Sequence, residues 1–505
     1  MIPTGLPPSQ YVYLALEALC LNGDVYVTED RLFQKCSEQK RNLTYWAFKN
    51  DLNAQIRLGA ICCEGSGLYM TKVWRYEESA AQALANIILQ PALRPIPLPD
   101  VLQVNDITLC EEQRSAVAMA LQLRLSLILG GAGSGKSTLI QAIVKVLNCE
   151  HNTVLCAPTG KAARNLTNRT GLTARTVHSA LGLHPNEDFL APVRWETVDL
   201  VIVDEASMLT LEMLAGILHR VPASCRVVLL GDPNQLLSVG AGNVLPDLLE
   251  LGIPCCRLFT NHRQANAPGS LQYNVVNFPY LQSYCELQYD DAFRHINASR
   301  DQVRDTLVAE AVARYSAGES VQVLSPYNQA TDLSVSALNH AIRDVVNPLT
   351  PQSLSISNGV DHFRQGDRVM ITKNDRERDC SNGDIGILNI SKAHKTNAVF
   401  SVQLPDGRCP QWEGNLHLTN LTLAYALTIH KSQGSEYDTV LLPIIWDMQR
   451  MLSRNLFYTA ISRAKKQVIL FGDTTSVDVA MRRLLPPRKS KLVAKTRMKL
   501  FQCAG

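Results

Sequence analysis

Apolar and polar positions change their period three times along the chain. Residues 11–22 (YVYLALEALCLN) and 77–90 (EESAAQALANIILQ) repeat apolar side chains at helical spacing, and the proline-rich stretch 91–99 follows them. This predicts a helical accessory region over 1–105 that ends in a linker. From 106 to 250 short apolar runs at 126–130, 153–157, 199–203 and 226–230 alternate with helical stretches. Alternation of that kind predicts a parallel sheet covered by helices on both faces. A second α/β unit follows over 251–360 and 419–480, with buried strands expected at 320–324, 438–443 and 467–471. Between its halves, 361–418 is dense in turn signals such as Asn382-Gly383 and Pro405-Asp406-Gly407. Short alternating runs at 368–372 and 398–403 make this a small inserted β-domain.

Composition narrows the class without deciding it. The 505 residues are 46% apolar and 19% charged, which suits several globular domains. No apolar run reaches membrane-spanning length, and the start MIPTGLPPSQ has no signal-peptide pattern, so a cytoplasmic protein is expected. A net charge of +3 is compatible with a local nucleic-acid groove but does not demand one. The 14 cysteines are scattered and form no CxxC pair, which predicts reduced, mostly buried thiols in place of zinc sites or disulfides. Residues 481–505 hold eight Arg or Lys and no acid. They read equally as a phosphate-gripping tail or a solubilising one.

The chemistry begins at Gly130-Gly131-Ala132-Gly133-Ser134-Gly135-Lys136-Ser137, a complete GxxxxGK[ST] between a predicted strand and a predicted helix. Backbone N–H groups of Gly131 through Gly135 can curl around phosphates, with Lys136 on the β- and γ-phosphates and Ser137 on Mg²⁺. Thr138 follows in the same first turn. The apolar strand Leu200–Val203 delivers Asp204 and Glu205 to the sheet's C-terminal edge, where Asp204 suits Mg²⁺ and Glu205 suits polarising a water. Gln235, in Gly231-Asp232-Pro233-Asn234-Gln235, is a sensor for the γ-phosphate or part of a turn. ATP with Mg²⁺ is the implied cofactor pair.

Taken together these motifs resemble the superfamily 1 helicases, in particular the RecD-like branch, over residues 106–500. Gln113 in LCEEQRSAV is similar to that family's adenine-reading glutamine. APTGKAARNL (157–166) and TARTVHSALG (173–182) resemble its strand-contacting motifs. LFTNHRQ (258–264), AYALTIHKSQGSEYDTVLLP (424–443) and NLFYTAISRAKKQVILFGD (455–473) resemble motifs of its second motor domain. The resemblance implies two RecA-like P-loop domains, an SH3-like barrel containing GDRVMITKNDRERDCSNGDIGIL (366–388), and an N-terminal helical module. It implies that Arg263 and Arg463 reach the nucleotide's phosphates, with Gly434 also at the nucleotide. It further implies that Thr159, Lys161, Thr176, His178, His430, Lys431 and Ser432 contact the strand. Hydroxyls, lysines and amides suit phosphate contacts without base readout, although Lys161 also reads as a solvated face and the two histidines as core residues. Residues 183–198 (LHPNEDFLAPVRWETV) correspond to the family's duplex-splitting hairpin, or are an ordinary loop.

The expected activity is ATP-driven translocation on single-stranded DNA with duplex unwinding in repair or recombination, and the resemblance implies a 5′-to-3′ direction. The expected partners are single strands, duplex junctions and repair or nuclease proteins. Two alternatives are a motor subunit of a helicase–nuclease complex and a translocase that remodels protein–DNA complexes without opening duplexes. A non-catalytic scaffold is argued against by intact Lys136, Asp204, Glu205, Arg263 and Arg463. No nuclease motif of paired carboxylates and lysine is present.

Overall fold

The computed structural model describes residues 11–504 apart from 41, 92, 94, 95, 100, 105, 106, 132, 185, 186, 192–194, 261–268, 330, 360, 376 and 395. Six parallel strands build the first motor sheet, in the spatial order Cys255–Leu258, Leu125–Gly130, Arg226–Gly231, Leu200–Val203, Thr153–Ala157 and Ala174–Thr176. Its central strands are buried on both sides, and their two-residue period sorts side chains between two cores. Ile128, Ile202 and Val228 face the helices Glu111–Gln122 and Lys136–Leu147. Leu127, Leu129, Val201 and Val227 face the helix Leu211–Arg220 and the N-terminal region.

That second core runs without a break into the N-terminal region. Helices Tyr11–Leu21, Glu29–Gln39, Tyr45–Arg57 and Thr71–Leu89 surround the antiparallel hairpin Ile61–Glu64/Gly67–Met70. Ala80, Ala81 and Leu84 join the first motor domain's apolar residues in one cluster. Burying this seam makes the accessory region and the first motor domain one packed body.

The second sheet is also all parallel, in the order Phe293–Asn297, Ala464–Gly472, Tyr437–Ile444, Val321–Ser325 and Ala426–Thr428. The insertion is a five-stranded antiparallel sheet ordered Gln411–Glu413, Val399–Gln403, Ile385–Lys392, Arg368–Ile371 and Leu421–Leu423. Its inner face stacks Phe400 on Trp412 at 5.7 Å.

Four sequence expectations need correction. The strand Cys255–Leu258 pairs with Leu125–Gly130, so the first motor sheet continues past 250. The insertion's last strand, Leu421–Leu423, lies past 418 because it pairs with Val369–Ile371. Residues 481–505 are no tail. Helix Leu492–Ala504 packs on Thr71–Leu89, and Lys495 is buried between Glu64, Glu77 and Glu78 at 3.0–3.2 Å. Of the 14 free cysteines six are buried, three intermediate and five exposed, so most are not buried. No helix among the described residues is long and apolar enough to cross a membrane.

Candidate nucleotide and strand site

The phosphate loop leaves the fully buried strand Leu125–Gly130 and enters the helix Lys136–Leu147. Gly133 and Gly135 hold φ of +83° and +81°, a left-handed backbone that lets successive N–H groups point into one concavity. Ser134 Oγ donates to the carbonyl of Gly131 at 2.9 Å and closes the loop on itself. Lys136 Nζ donates to the carbonyls of Gly130 and Gly131, which keeps the ammonium at the loop's mouth. Ser137 and Thr138 lie in the helix's first turn. Ala132 falls outside the described residues.

Two neighbouring strand ends bring carboxylates to this loop. Asp204 follows Leu200–Val203 and accepts from the Glu205 backbone N–H at 2.9 Å. Burial, then the charge of Glu205, pushes the Asp204 carboxyl up to about 6, with Lys136 opposing. Glu205 itself holds φ +53°, an uncommon conformation for a non-glycine residue and one found at functional sites. Asp232 follows Arg226–Gly231 and is almost fully buried. It accepts from the Tyr458 hydroxyl at 2.7 Å and from the Asn234 N–H at 3.0 Å. Buried Gln235 reaches the same carboxylate through Nε2 at 3.5 Å, while its Oε1 has no partner among the described residues.

The second motor domain enters here through its helix Arg454–Ile461. Tyr458 Oη lies 3.0 Å from where a Cβ on Gly131 would be, so a tyrosine of one domain touches the phosphate loop of the other. Burial, then the Asp232 carboxylate, holds its hydroxyl far above the usual range and keeps it a donor. Thr459 Oγ1 accepts from Leu236 N–H at 2.9 Å, and Gln433 Nε2 donates to Leu236 O at 3.0 Å. Arg463 is buried beside them, donating to Thr459 O at 3.1 Å and Ser462 Oγ at 3.1 Å. Arg263 lies outside the described residues. Gln113 is buried and its side chain accepts from Cys110 N–H at 3.2 Å, capping its own helix. Gly434, expected at the nucleotide, accepts on its carbonyl from Asn165 Nδ2 of the helix Gly160–Thr170, an interdomain contact.

Strand residues of both domains line a single cleft of about 1960 Å³. Thr159 and Thr176 stand where Thr153–Ala157 and Ala174–Thr176 end, and each caps the next helix, accepting from Ala162 N–H and Ser179 N–H at 3.2 Å. Lys161 sits 5.7 Å from the Tyr437 ring centroid. His178 faces the cleft on one side and meets the Phe189 ring edge-on at 5.1 Å on the other, and this desolvation lowers its pKa. Burial lowers that of His430 as well. His430 and Lys431 also line the cleft. Ser432 does not, because it is fully buried and its Oγ donates to Ile429 O at 2.7 Å. The insertion closes one wall, with Arg164 of the first domain ion-paired to Asp384 and Asp379.

The duplex-splitting hairpin expected at 183–198 is not seen among the described residues there, which form no strand. Phe189 is buried against Tyr76 and His178, and Trp195 packs on the same core. Buried Arg220 donates to Phe189 O at 2.6 Å and accepts Trp195 N–H on its own carbonyl at 3.1 Å, so the segment is tied down to the helix Leu211–Arg220. Sequence reasoning also passed over Tyr458 and Asp232 as a pair. Both lie inside motifs that were singled out, but 226 residues separate them.

Two parallel-sheet domains that meet at one phosphate loop, with carboxylates from one side and a tyrosine from the other, define a two-domain P-loop protein. Family profiles agree piece by piece. An AAA domain matches 108–274, an ATP-dependent RecD-like DNA helicase SH3 domain matches 338–403, and a UvrD-like helicase C-terminal domain matches 423–471. The chain is 31% identical to the RecBCD enzyme subunit RecD of Mycolicibacterium smegmatis, over 83% of this chain and 80% of that one. It is 32% identical to the ATP-dependent RecD2 DNA helicase of Deinococcus radiodurans over 85% of its own length, and spans 58% of that relative. The Bacteroides Pif1 helicase, solved with ADP-AlF3 and single-stranded DNA, aligns with a TM-score of 0.48 at 18% identity, covering 79% of this chain and 98% of that one. The chain belongs to the RecD-like helicase family.

Proposed function

We propose that this chain is a cytoplasmic ATP-driven motor that translocates 5′ to 3′ on single-stranded DNA and unwinds duplexes at junctions, in repair or recombination. One observation carries the reading. The loop from Asp232 to Leu236 touches the phosphate loop's neighbourhood at one end and the second domain at the other, and both domains open onto the same cleft. A change at the phosphates can therefore alter the spacing of the two sets of strand contacts, which is what stepping requires.

In this reading Gln113 meets the adenine and Lys136 neutralises the β- and γ-phosphates. Ser137 and Asp204 fit a magnesium ion. They are a hydroxyl and a carboxylate, both hard oxygen donors of the kind that Mg²⁺ takes. When bound, Mg²⁺ supplies charge neutralisation at the phosphate oxygens. Glu205 takes the proton of the attacking water, and the unpartnered Oε1 of Gln235 orients that water. Arg463 and Arg263 supply positive charge from the second domain, as phosphoryl transfer requires. Thr159, Lys161, Thr176, His178, His430 and Lys431 hold the strand's backbone, with no base readout.

ATPase activity with and without a dT oligomer, followed by unwinding of 5′-tailed and 3′-tailed duplexes, tests this. Strong stimulation and opening of only the 5′-tailed duplex are expected. Stimulation without any unwinding would leave a translocase, and preference for the 3′ tail would overturn the polarity. The 31% identity to a RecBCD subunit supports a second reading, a motor subunit that works inside a helicase–nuclease assembly. Co-purification of a nuclease partner, with unwinding only in its presence, would favour it.

A further inference from the structure

The C-terminal segment leaves the second motor domain at Arg483, whose carbonyl accepts from Arg454 N–H at 2.8 Å. It then crosses to the first. There Arg488 is held by a cage of acceptors on the loop that follows Gln235. Its NH1 donates to Ser238 Oγ at 3.0 Å, Gly242 O at 2.8 Å and Gly240 O at 3.5 Å, and its NH2 to Ser238 O at 2.5 Å. The guanidinium packs against Gly23, where φ is +109° and a Cβ would fall 2.0 Å from Nε, so only glycine fits there. On the loop's other side Gly240 N–H and Gly242 N–H donate to Leu21 O and Gly23 O at 3.1 and 3.0 Å. Lys489 N–H is fixed to Asp24 at 3.0 Å and its carbonyl to Val25 N–H at 2.8 Å.

The loop clamped in this way has three further contacts. Asp232 and Gln235 begin it at the nucleotide site, Leu236 is bonded to Thr459 and Gln433 of the second domain, and Val239, 67% exposed, faces the strand cleft. An exposed valine in a cleft that also holds Lys161, His178 and Lys431 is suited to an apolar contact with a strand's bases or sugars. Because the loop is short and continuous, where Val239 sits and where Gln235 sits are not independent.

We propose that Arg488 is a positioning residue for the strand-dependent step of ATP hydrolysis. It pins Ser238–Gly242 so that strand contact at Val239 is passed along the loop to Gln235 and Asp232 instead of being absorbed by loop motion. This rests on the reading of the chain as a strand-stimulated motor.

The test is the full chain's ATPase, titrated with a dT oligomer. Arg488→Ala is expected to keep basal turnover and the KM for ATP, and to lose roughly tenfold in stimulated kcat, the scale of one charged hydrogen bond. Arg488→Lys, which keeps the charge but not the planar fork, is expected to fall between the two. Val239→Ala should lower stimulation, and adding it to Arg488→Ala or Arg488→Lys should cost less than the product of the separate losses, since both act through one loop. Wild-type stimulation in Arg488→Ala would overturn the inference, as would a parallel fall of basal and stimulated turnover. If Arg488→Ala does not fold, the Arg488→Lys and Val239→Ala cycle still decides, because independent, multiplicative losses overturn it. Absence of dT stimulation in the wild-type chain would instead remove the motor reading itself.

Discussion

The two motor domains meet the same cleft with opposite constructions. In the first, Thr159 and Thr176 cap helices at the ends of parallel strands, so hydroxyls and helix N-termini are held rigidly by the sheet. In the second, His430–Ser432 is a single 3-10 turn between Ala426–Thr428 and Tyr437–Ile444, and Ser432 is spent on holding the turn. The nucleotide side repeats the contrast. The first domain supplies a lysine and carboxylates on strand ends, while the second reaches across with Tyr458 from one helix and keeps Arg463 in the turn that follows it. The difference teaches which domain is the platform. The first domain shares its core with the N-terminal region and is clamped by the C-terminal segment, whereas the second touches the nucleotide site through a few polar contacts that can re-form after a shift.

The sharpest break between the two halves is at the nucleotide. Lys136→Ala should abolish turnover and weaken nucleotide binding. Arg463→Ala should lower turnover by roughly 10³–10⁵-fold, as for an arginine finger, with binding retained. Fluorescent-nucleotide titration beside turnover separates them, and normal turnover in Arg463→Ala would remove that residue from the chemistry. Next is Phe189, which belongs to the platform's core. Phe189→Ala should cost about 3–5 kcal/mol of stability, seen as a lower melting temperature with ATPase and unwinding lost together on warming. Loss of unwinding alone at unchanged stability would return the segment to a fork-splitting role.

Tyr458→Phe removes one hydroxyl and the interdomain bond to Asp232. Turnover should fall roughly tenfold with strand affinity unchanged, because a buried carboxylate loses a donor worth about 1–3 kcal/mol. Unchanged turnover would mean that the two domains communicate without the Tyr458–Asp232 bond, through contacts such as those of Leu236 with Thr459 and Gln433.

Smaller still are the effects on the strand. Lys161→Ala and Lys431→Ala should each reduce the salt dependence of strand binding by about one phosphate's worth. Ser432→Ala should leave that slope alone and cost about 1 kcal/mol of stability. The smallest concerns pH. His178 and His430 have lowered pKa values through desolvation, so each is more than half neutral at pH 6.5, the ordinary midpoint, and more so above it. Strand affinity should change little from pH 8 to 7 at constant salt. A rise over that range that disappears in His178→Gln would make that ring a cationic phosphate contact.

Local pattern was enough for much of this protein. The runs at 126–130, 153–157 and 226–230, and all but the first residue of 199–203, lie in strands of the first sheet, because buried parallel strands leave continuous apolar segments. Ala174–Thr176 and Ala426–Thr428 are too short to carry such a signature, and Cys255–Leu258 is a partly exposed edge strand holding Arg257, so their strand character comes from the neighbours that pair with them. The phosphate loop was legible for a similar reason. Its glycines, lysine and serine act within eight consecutive residues, so spacing alone encodes the shape.

Tertiary structure decided everything that depends on residues far apart. The basic composition of 481–505 looked solvated, yet Lys495 is buried because Glu64, Glu77 and Glu78 converge on it from the N-terminal region. Phe189 and Trp195 lie in the stretch that reads as a duplex-splitting hairpin or an ordinary loop, yet Arg220 draws their backbone onto a helix. Arg488 gave no local signal, since its cage joins Gly23 to Ser238–Gly242 across the whole chain. A sequence specifies short-range geometry through backbone conformation and apolar period. The partner of a charged side chain is chosen only when folding has set which carboxylates and carbonyls surround it, because the energy of leaving such a group unpaired exceeds any local preference.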